Sequence, residues 1–176
     1  MAKDIWLISD THFNHSNILG FLRPDGTPLR PGFKDVQEMN ERMMDNWVSL
    51  VKDGDKIYHL GDIAMGDKQE GVKLIGKLPG SKNLILGNHD SPEMKLYTPY
   101  FKHIYSSRVL DKVALVHIPV HPSCLSAKVV GCIHGHEHGQ HPGEFGKNFV
   151  DISVENTDYK PVAFEEIKLQ LLRQIQ

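Results

Sequence analysis

The chain has 176 residues, 40% of them hydrophobic and 24% charged, and its formal net charge is -2. This length predicts one globular domain over 1–176, and the composition excludes general disorder. No apolar run approaches the roughly 20 residues of a membrane span, and the first apolar stretch is too short for a signal peptide. The near balance of acidic and basic residues does not favour nucleic acid as a partner.

The first half of the chain predicts alternating strands and helices. Its strands are predicted at 5–9, 56–60, 83–86 and 103–109. A Gly- and Pro-rich loop is expected at 20–34. Apolar residues at three- and four-residue spacing predict a helix that begins after Asp35 and stops near Gly54. A second, shorter helix is expected near 68–77, and 92–102 is irregular or helical.

The second half is richer in strands. They are predicted at 113–117, 129–134, 148–154 and 161–164, with a closing helix at 165–174. Strands that alternate with helices, followed by a strand-rich half, favour an α/β protein in which sheets pack together and helices lie outside.

Histidine is frequent, with eleven residues against two cysteines. Cys124 and Cys132 are too few for a disulfide framework, so we expect a reducing, cytoplasmic environment. Because histidine is the commonest metal ligand in proteins, the positions of these residues along the predicted elements carry the functional information.

Five polar clusters each follow an apolar run directly. They are Asp10-Thr11-His12, Asp62, Asn88-His89-Asp90, His117 and His134-Gly135-His136-Glu137-His138. Since ligands of α/β sheets bind beyond the carboxyl ends of the strands, we expect these clusters to meet at one rim. Imidazole, carboxylate and amide groups suit zinc, manganese, iron or nickel better than calcium. The set that fits a two-metal site is Asp10, His12, Asp62, Asn88, His117, His136 and His138.

These clusters resemble the motifs of the calcineurin-like metallophosphoesterases. The matching pieces are Asp10-Thr11-His12, Gly61-Asp62, Gly87-Asn88-His89-Asp90, His117 and Gly135-His136-Glu137-His138. The stretch 11–18 is also similar to a small bacterial and phage branch of that family. The resemblance implies a four-layer α/β/β/α sandwich of two mixed β-sheets flanked by helices, without a cap domain.

The resemblance also implies a role for each motif residue. The first of two divalent transition-metal ions would be held by Asp10, His12, Asp62 and His138. The second would be held by Asp62, Asn88, His117 and His136, with Asp62 bridging. Manganese is the favoured metal, with nickel, iron and zinc as alternatives. His89 would be the acid that protonates the leaving oxygen, and Asp90 would orient it.

The implied activity is hydrolysis of a small phosphodiester or phosphomonoester, with a nucleotide-like compound as one option. A hydroxide shared by the two cations would attack phosphorus in line, with His89 as general acid. A metal-dependent nuclease is an alternative, which the lack of a Lys/Arg cluster disfavours. A non-catalytic interaction scaffold on the same fold is another, against which the full ligand set and His89 both argue.

One ligand assignment has a rival. The family usually has Ser or Thr before the histidine of the fourth motif, whereas Val116 precedes His117 here. His121 follows closely and is an alternative ligand. We favour His117 because it ends the apolar run and has a proline two residues later, which leaves His121 as a candidate for substrate contact.

Four residues near the first motif are further candidates for substrate contact. Asn14 and His15 follow His12 closely, although either could instead cap the next helix. Arg23 and Arg30 lie in the 20–34 loop, and arginine binds phosphate through paired hydrogen bonds. Ordinary surface charges are the alternative reading of these two arginines.

Overall fold

The computed structural model describes residues 3–175, which form nine strands and three α-helices. The strands are β1 (Ile5–Ile8), β2 (Lys56–His59), β3 (Ser81–Ile85), β4 (His103–Tyr105), β5 (Arg108–Leu110), β6 (Val113–Leu115), β7 (Gly131–His134), β8 (Phe149–Asp151) and β9 (Val162–Ala163). The helices are α1 (Val36–Leu50), α2 (Lys68–Gly76) and α3 (Phe164–Ile175). Short 3-10 helices lie at Ser16–Gly20, Met94–Leu96, Pro122–Cys124 and Val154–Asn156.

The strands are arranged in two mixed sheets. The first has the order β4-β3-β2-β1-β9, in which β1 to β4 are parallel and β9 runs antiparallel to β1. The second has the order β5-β6-β7-β8, in which β6 to β8 are parallel and β5 runs antiparallel to β6. The predicted α/β sandwich of two mixed sheets with helices is therefore confirmed.

Alternate residues of the first sheet face two different cores. Ile8, Ile57 and Leu84 pack with the buried faces of α1 and α2. Their neighbours Leu7 and Tyr58 point the other way, into the core shared with the second sheet. Because successive side chains of a strand alternate between faces, the short continuous apolar runs in the sequence are buried on both sides.

The second sheet is also covered on both faces. Leu115 and Ile133 face the first sheet, and α3 closes the same core with Phe164 and Leu171. On the outer face, Cys132 and its neighbours pack with apolar residues of the segment 118–130. This segment contains only one short 3-10 helix, Pro122–Cys124.

Helix α1 begins where the sequence predicts and ends earlier. The Asp35 carboxylate accepts a hydrogen bond from the Glu38 amide at 2.9 Å, which is an N-cap. The helix ends at Leu50, and Val51 has extended backbone. The prediction that Gly54 stops the helix is wrong, because Asp55 accepts a hydrogen bond from the Lys52 amide and holds the chain in a turn.

Two predicted strands are interrupted. The prediction of one strand at 103–109 is wrong, because the chain leaves the first sheet after β4 and enters the second as β5. The strand predicted at 148–154 ends at Asp151, whose carboxylate accepts hydrogen bonds from the amide and the hydroxyl of Ser153. Side-chain capture of the backbone competes with strand pairing at this point.

Within the described range, no helix combines the length and the apolar character that crossing a membrane requires.

Replacing Trp47 should test the helix-facing core. Trp47 is fully buried on α1, and its indole Nε1 donates to the Pro79 carbonyl at 3.0 Å. Trp47→Ala should lower the free energy of unfolding by about 3–5 kcal/mol, because it leaves a cavity and an unpaired carbonyl. Val48 is 58% exposed, and Val48→Ala should change this free energy by less than about 0.5 kcal/mol. Equal effects in urea unfolding would contradict this packing.

Candidate metal centre

The carboxyl ends of the parallel strands of both sheets meet along one rim. The first-sheet strands β1, β2 and β3 lead to Asp10, Asp62 and Asn88, and the second-sheet strands β6 and β7 lead to His117 and His136. A parallel bridge between Ser9 and Ser153 joins the two sheets at this rim. The five polar clusters therefore lie together, as their position after apolar runs predicts.

Backbone hydrogen bonds fix the loops against one another. The amide of Asp10 donates to the Gly61 carbonyl at 3.0 Å, and the amide of His12 donates to the Asp62 carbonyl at 3.0 Å. Between the sheets, the amide of His136 donates to Asp10 Oδ2 at 3.0 Å. The carboxylates thus hold backbone in place as well as facing the centre.

Two glycines allow the loops to approach this closely. A Cβ atom on Gly135 would lie 2.1 Å from Asp10 Oδ2, and a Cβ atom on Gly87 would lie 2.2 Å from Asp62 Oδ1. No side chain fits at these distances. This contact is the physical reason for glycine in the Gly-His and Gly-Asn motifs.

Five of the seven predicted ligands have a left-handed backbone. Their φ angles are 57° for Asp10, 46° for His12, 56° for Asp62, 72° for His136 and 50° for His138. Only a few per cent of non-glycine residues adopt positive φ, and each such residue costs on the order of 1–3 kcal/mol. Backbone strain of this kind concentrates at functional sites, where surrounding contacts hold it in place.

Asp10, His12 and His138 form a first group whose ligand atoms all lie within 4.8 Å of one another. Both ring nitrogens of His12 are buried, and neither has a hydrogen-bond partner among residues 3–175. Burial and the charge of Arg30 hold the pKa of His12 well below its usual value, so its imidazole is neutral. Its Nε2 lies 3.6 Å from Asp62 Oδ2 and 3.9 Å from Asp10 Oδ1.

Asp10, Asp62 and His117 form a second group within the same distance limit. The Nδ1 of His117 donates to the Leu60 carbonyl at 2.7 Å. This bond turns Nε2 toward the centre, where it lies 2.8 Å from Asn88 Oδ1 and 3.4 Å from Asp62 Oδ2. Asp62 Oδ2 therefore lies near one histidine of each group, which suits the bridging role that the resemblance implies.

The centre attracts positive charge. Burial alone would lower the pKa of His117, but its hydrogen bond to Asp62 and the charges of Asp10 and Asp62 raise it to about 9. Burial alone would raise the pKa of Asp62, but the hydrogen bond and charge of His117 lower it to about 2. Asp62 is thus ionised near neutral pH in a buried setting that favours a cation.

His136 belongs to neither group, but its ring lies beside the second one. The ring centroids of His136 and His117 are 5.3 Å apart. Taken together, imidazole nitrogens, two buried carboxylates and an amide oxygen make a donor set suited to borderline transition metals. The unpartnered Nε2 of His12, which faces Asp10 and Asp62, is the feature that a bound cation accounts for best, since buried polar atoms are otherwise paired.

His89 and Asp90 are neighbours in the sequence, but their side chains have different surroundings. The exposed His89 ring has its centroid 5.8 Å from that of His12, at the edge of the first group. The prediction that Asp90 orients His89 is wrong. Its carboxylate accepts hydrogen bonds from the amides of Asp62, Ile63 and Gly87, and none from His89 within the described chain. Asp90 instead ties together the loops that follow β2 and β3.

Three predicted substrate contacts do not fit the geometry. The Asn14 side chain is used between Asn40 and the Asp67 carbonyl, so it links the first motif to the helices. Arg30 is almost fully buried, and its guanidinium points into the protein. The exposed His121 ring accepts from the Ser123 amide and caps a short 3-10 helix, so His117 is the histidine placed in the centre.

The other two candidates border the centre. The His15 ring centroid lies 5.5 Å from that of His12 and 5.5 Å from that of Phe21. Arg23 donates to the His138 carbonyl at 3.2 Å, which fastens the 20–34 loop to the rim. Both residues remain candidates for substrate contact, and Phe21 joins them as a residue that the sequence did not single out.

The His59 side chain forms hydrogen bonds to the loops beside the predicted ligands. Its Nδ1 accepts from the Gly61 amide at 3.2 Å, and its Nε2 lies 2.9 Å from the Thr11 hydroxyl oxygen. Burial lowers the pKa of His59 to about 3, so the ring is neutral. Because both nitrogens are used, His59 supports the loops that carry Thr11 and Gly61 and has no nitrogen left for a cation.

Glu155 is the main residue that the sequence did not single out. It is buried, and its Oε1 accepts from Arg30 Nε at 2.6 Å and lies 2.9 Å from His138 Nδ1. Burial alone would raise the pKa of Glu155, but the charge of Arg30 and the hydrogen bond from His138 lower it to about 2. A partial signal was available, because Glu155 directly follows the predicted strand 148–154, although Asn148, Asp151 and Ser153 make that segment less apolar than the runs before the other clusters.

Comparison with known proteins gives relatives without an assigned activity. No family model matches the chain. The gene 66 proteins of the mycobacteriophages L5 and D29 are 33% and 30% identical to it over 93 and 113 residues. These alignments cover 41% and 51% of the phage proteins, so each similarity concerns about half of the phage protein.

Two relatives match nearly the whole chain. A crystal structure of the protein of unknown function AQ665 from Aquifex aeolicus has a TM-score of 0.70 and 29% identity, covering 96% of this chain and 99% of that one. The uncharacterized protein MJ1445 of Methanocaldococcus jannaschii is 34% identical over 177 aligned positions, covering 94% of this chain and 89% of the relative. The chain therefore belongs to the same family as MJ1445.

Proposed function

We propose that this protein is a phosphoesterase of the calcineurin-like type that works with two divalent transition-metal ions, manganese being the favoured metal. The observation that carries the proposal is the neutral, buried and unpartnered imidazole of His12 beside Asp10 and Asp62. The first ion would be held by Asp10, His12, Asp62 and His138. The second would be held by Asp62, Asn88, His117 and His136.

The protein's own residues have separate tasks in this reaction. Bound cations of this kind lower the pKa of water and neutralise phosphoryl oxygens. His89 holds a proton for the leaving oxygen from its exposed position beside His12. Its backbone is fixed on both sides, since its amide donates to Asp62 Oδ1 at 2.9 Å and its carbonyl accepts from Lys68 Nζ at 2.6 Å. This fixed backbone limits the positions that the acid can take.

The substrate that we propose is a small phosphoester with a planar group, such as a nucleotide-like ester. The support is a wall of rings beside the centre, in which Phe21 follows His15 and His15 follows His12. Phe21 is 47% exposed although phenylalanine is usually buried, and an exposed aromatic face suits stacking. Arg23 holds this wall on the rim through the His138 carbonyl.

We also propose a cytoplasmic location. Cys124 is exposed and Cys132 is buried, and both are free thiols. Free thiols are typical of reducing compartments. Oxidation of Cys124 during purification without reductant is compatible with this proposal, whereas export of the native protein to an oxidising compartment contradicts it.

Removing the acid should separate catalysis from metal binding. His89→Ala loaded with Mn²⁺ should hydrolyse mono- and diesters, including cyclic nucleotides, about 10²–10⁴-fold more slowly, because the leaving oxygen lacks its proton donor. Its manganese content should equal that of the wild type. His103→Ala, an exposed histidine on β4, is the matched control and should keep the wild-type rate.

Other outcomes of this assay point to the alternatives. Unchanged diester hydrolysis by His89→Ala at saturating metal would remove His89 from the reaction. A wild-type protein that binds manganese and is inert toward every ester would favour an interaction scaffold. Cleavage of DNA or RNA that weakens with salt would favour a nuclease.

Removing the bridging charge should abolish part of the metal binding. Asp62→Asn keeps the side-chain shape but lacks the negative charge near both histidine groups. Equilibrium dialysis should find fewer than two manganese ions per chain in this variant and two in the wild type. Asp53→Asn, which alters an exposed carboxylate, should bind as the wild type does. Equal stoichiometry in all three proteins would refute the bridging assignment.

Shortening Phe21 should raise KM selectively. Phe21→Ala should increase KM about tenfold for aryl or nucleotide esters, the order expected when one stacking contact of about 1–3 kcal/mol is lost. KM for alkyl esters should hardly change. Leu169→Ala, an exposed apolar residue on α3, is the control. A uniform change across both ester classes would show that Phe21 does not contact the planar group.

A further inference from the structure

A buried ion pair links two distant parts of the chain behind the centre. The Arg30 and Glu155 side chains are 0% and 1% exposed, and Arg30 Nε donates to Glu155 Oε1 at 2.6 Å. Arg30 comes from the Gly- and Pro-rich loop, whereas Glu155 follows β8 in the short helix Val154–Asn156. Neither residue is part of the two ligand groups.

Both terminal nitrogens of the Arg30 guanidinium donate to the first motif. Its Nη2 donates to the Asp10 carbonyl at 2.5 Å, and its Nη1 donates to the Thr11 carbonyl at 3.0 Å. Asp10 and His12, on either side of Thr11, have positive φ. The guanidinium thus fastens the backbone that carries two predicted ligands in its strained conformation.

Glu155, which pairs with Arg30, also contacts a third predicted ligand, His138. Its Oε1 lies 2.9 Å from His138 Nδ1, and the Nε2 of the same ring faces Asp10 Oδ1 at 3.8 Å. An ionised carboxylate only accepts, so Nδ1 carries the proton and Nε2 offers its lone pair toward the centre. The other oxygen, Oε2, is buried and has no hydrogen-bond partner among residues 3–175.

We propose that Arg30 and Glu155 form a buried brace that fixes His138, Asp10 and His12 as the ligands of one cation. The inference rests on the proposed metal centre and adds two positioning residues to it. A carboxylate that accepts from the far nitrogen of a ligating histidine sets its tautomer and ring orientation and raises its basicity. The Arg30 fork sets the backbone of the other two ligands.

Stability alone does not account for this arrangement. A buried ion pair is often no more stabilising than apolar residues of the same volume, because both charges lose their hydration. Apart from a contact of Arg30 Nη1 with Met39 Sδ at 3.4 Å, the hydrogen bonds of this pair go to Asp10, Thr11 and His138. A function at the centre explains why the charges lie here.

The test compares two buried carboxylates, Glu155 beside the centre after β8 and Asp55 before the start of β2, away from the centre. Glu155→Gln keeps the shape but removes the charge beside His138. Asp55→Asn is the matched control, because buried Asp55 also accepts several hydrogen bonds, from Asp4, Trp6 and Lys52, near the starts of β1 and β2. Both variants should lower Tm. Manganese binding is then measured by equilibrium dialysis at a temperature where all the proteins are folded.

The brace predicts different affinities for the two variants. Glu155→Gln should weaken the binding of one manganese ion by about 10–100-fold and leave the other unchanged. Asp55→Asn should bind both ions as the wild type does. Should Glu155→Gln not fold, the double variant Arg30→Met with Glu155→Gln leaves no unpaired buried charge and should show the same loss for one ion.

The outcomes separate this inference from the proposed function. A wild-type protein that binds no manganese would refute the metal centre itself. Wild-type affinity in Glu155→Gln, or in the double variant, would refute the brace while the centre stands. Equal losses in Glu155→Gln and Asp55→Asn would assign the effect to general destabilisation and would also overturn the brace.

Discussion

Asp10 and Asp62 are carboxylates buried where two sheets meet. Because burying a carboxylate is unfavourable, the surrounding groups of the centre are arranged to hydrogen-bond to these two side chains or to pair with them. A carboxylate removed from water must be paired, hydrogen-bonded or bound to a cation. Asp10 receives the His136 amide and Asp62 receives the His89 amide. These bonds satisfy part of each carboxylate and leave the remaining charge directed at the imidazoles.

Neither sheet supplies all seven predicted ligands. The first sheet brings Asp10, His12, Asp62 and Asn88, and the second brings His117, His136 and His138. The core between the sheets therefore sets the distance between carboxylates and imidazoles. The packing between the sheets therefore also determines the geometry at the rim. A shift of one sheet against the other would separate the two sets of side chains.

The sequence predicts the gathering of the clusters well, because parallel strands impose it. Asp10, Asp62 and His117 follow short apolar runs, and such runs bury both faces of a parallel strand. The spacing of apolar residues also predicts α1 correctly at its start, because the Asp35 cap involves only neighbouring residues. Features that depend on a single distant partner were missed or misassigned, since nothing in the neighbouring residues marks them. The sequence predicts Arg30 as a substrate contact or an ordinary surface charge, and Asp90 as the partner of His89, whereas both bind backbone of the motif loops.

The predictions of two strand boundaries were wrong for a related reason. The run 103–109 has no internal signal that its two ends belong to different sheets, and only the tertiary structure separates β4 from β5. At Asp151 the competing interaction is local, through Ser153. Glu155 follows a predicted strand, but that strand is only partly apolar and Glu155 matches none of the motifs of the resembling family, so the sequence does not mark it as part of the centre.

The ion pair behind the centre joins residues 125 positions apart. Because of this separation, Arg30 is synthesised long before the partner that it needs. The early motifs emerge from the ribosome long before β8 and Glu155 do, and domains fold largely as units. A nascent chain thus holds Asp10 and His12 without the contact that fastens them. In the proposed metal centre, the first group would therefore gain its full set of supporting contacts only when the chain is almost complete.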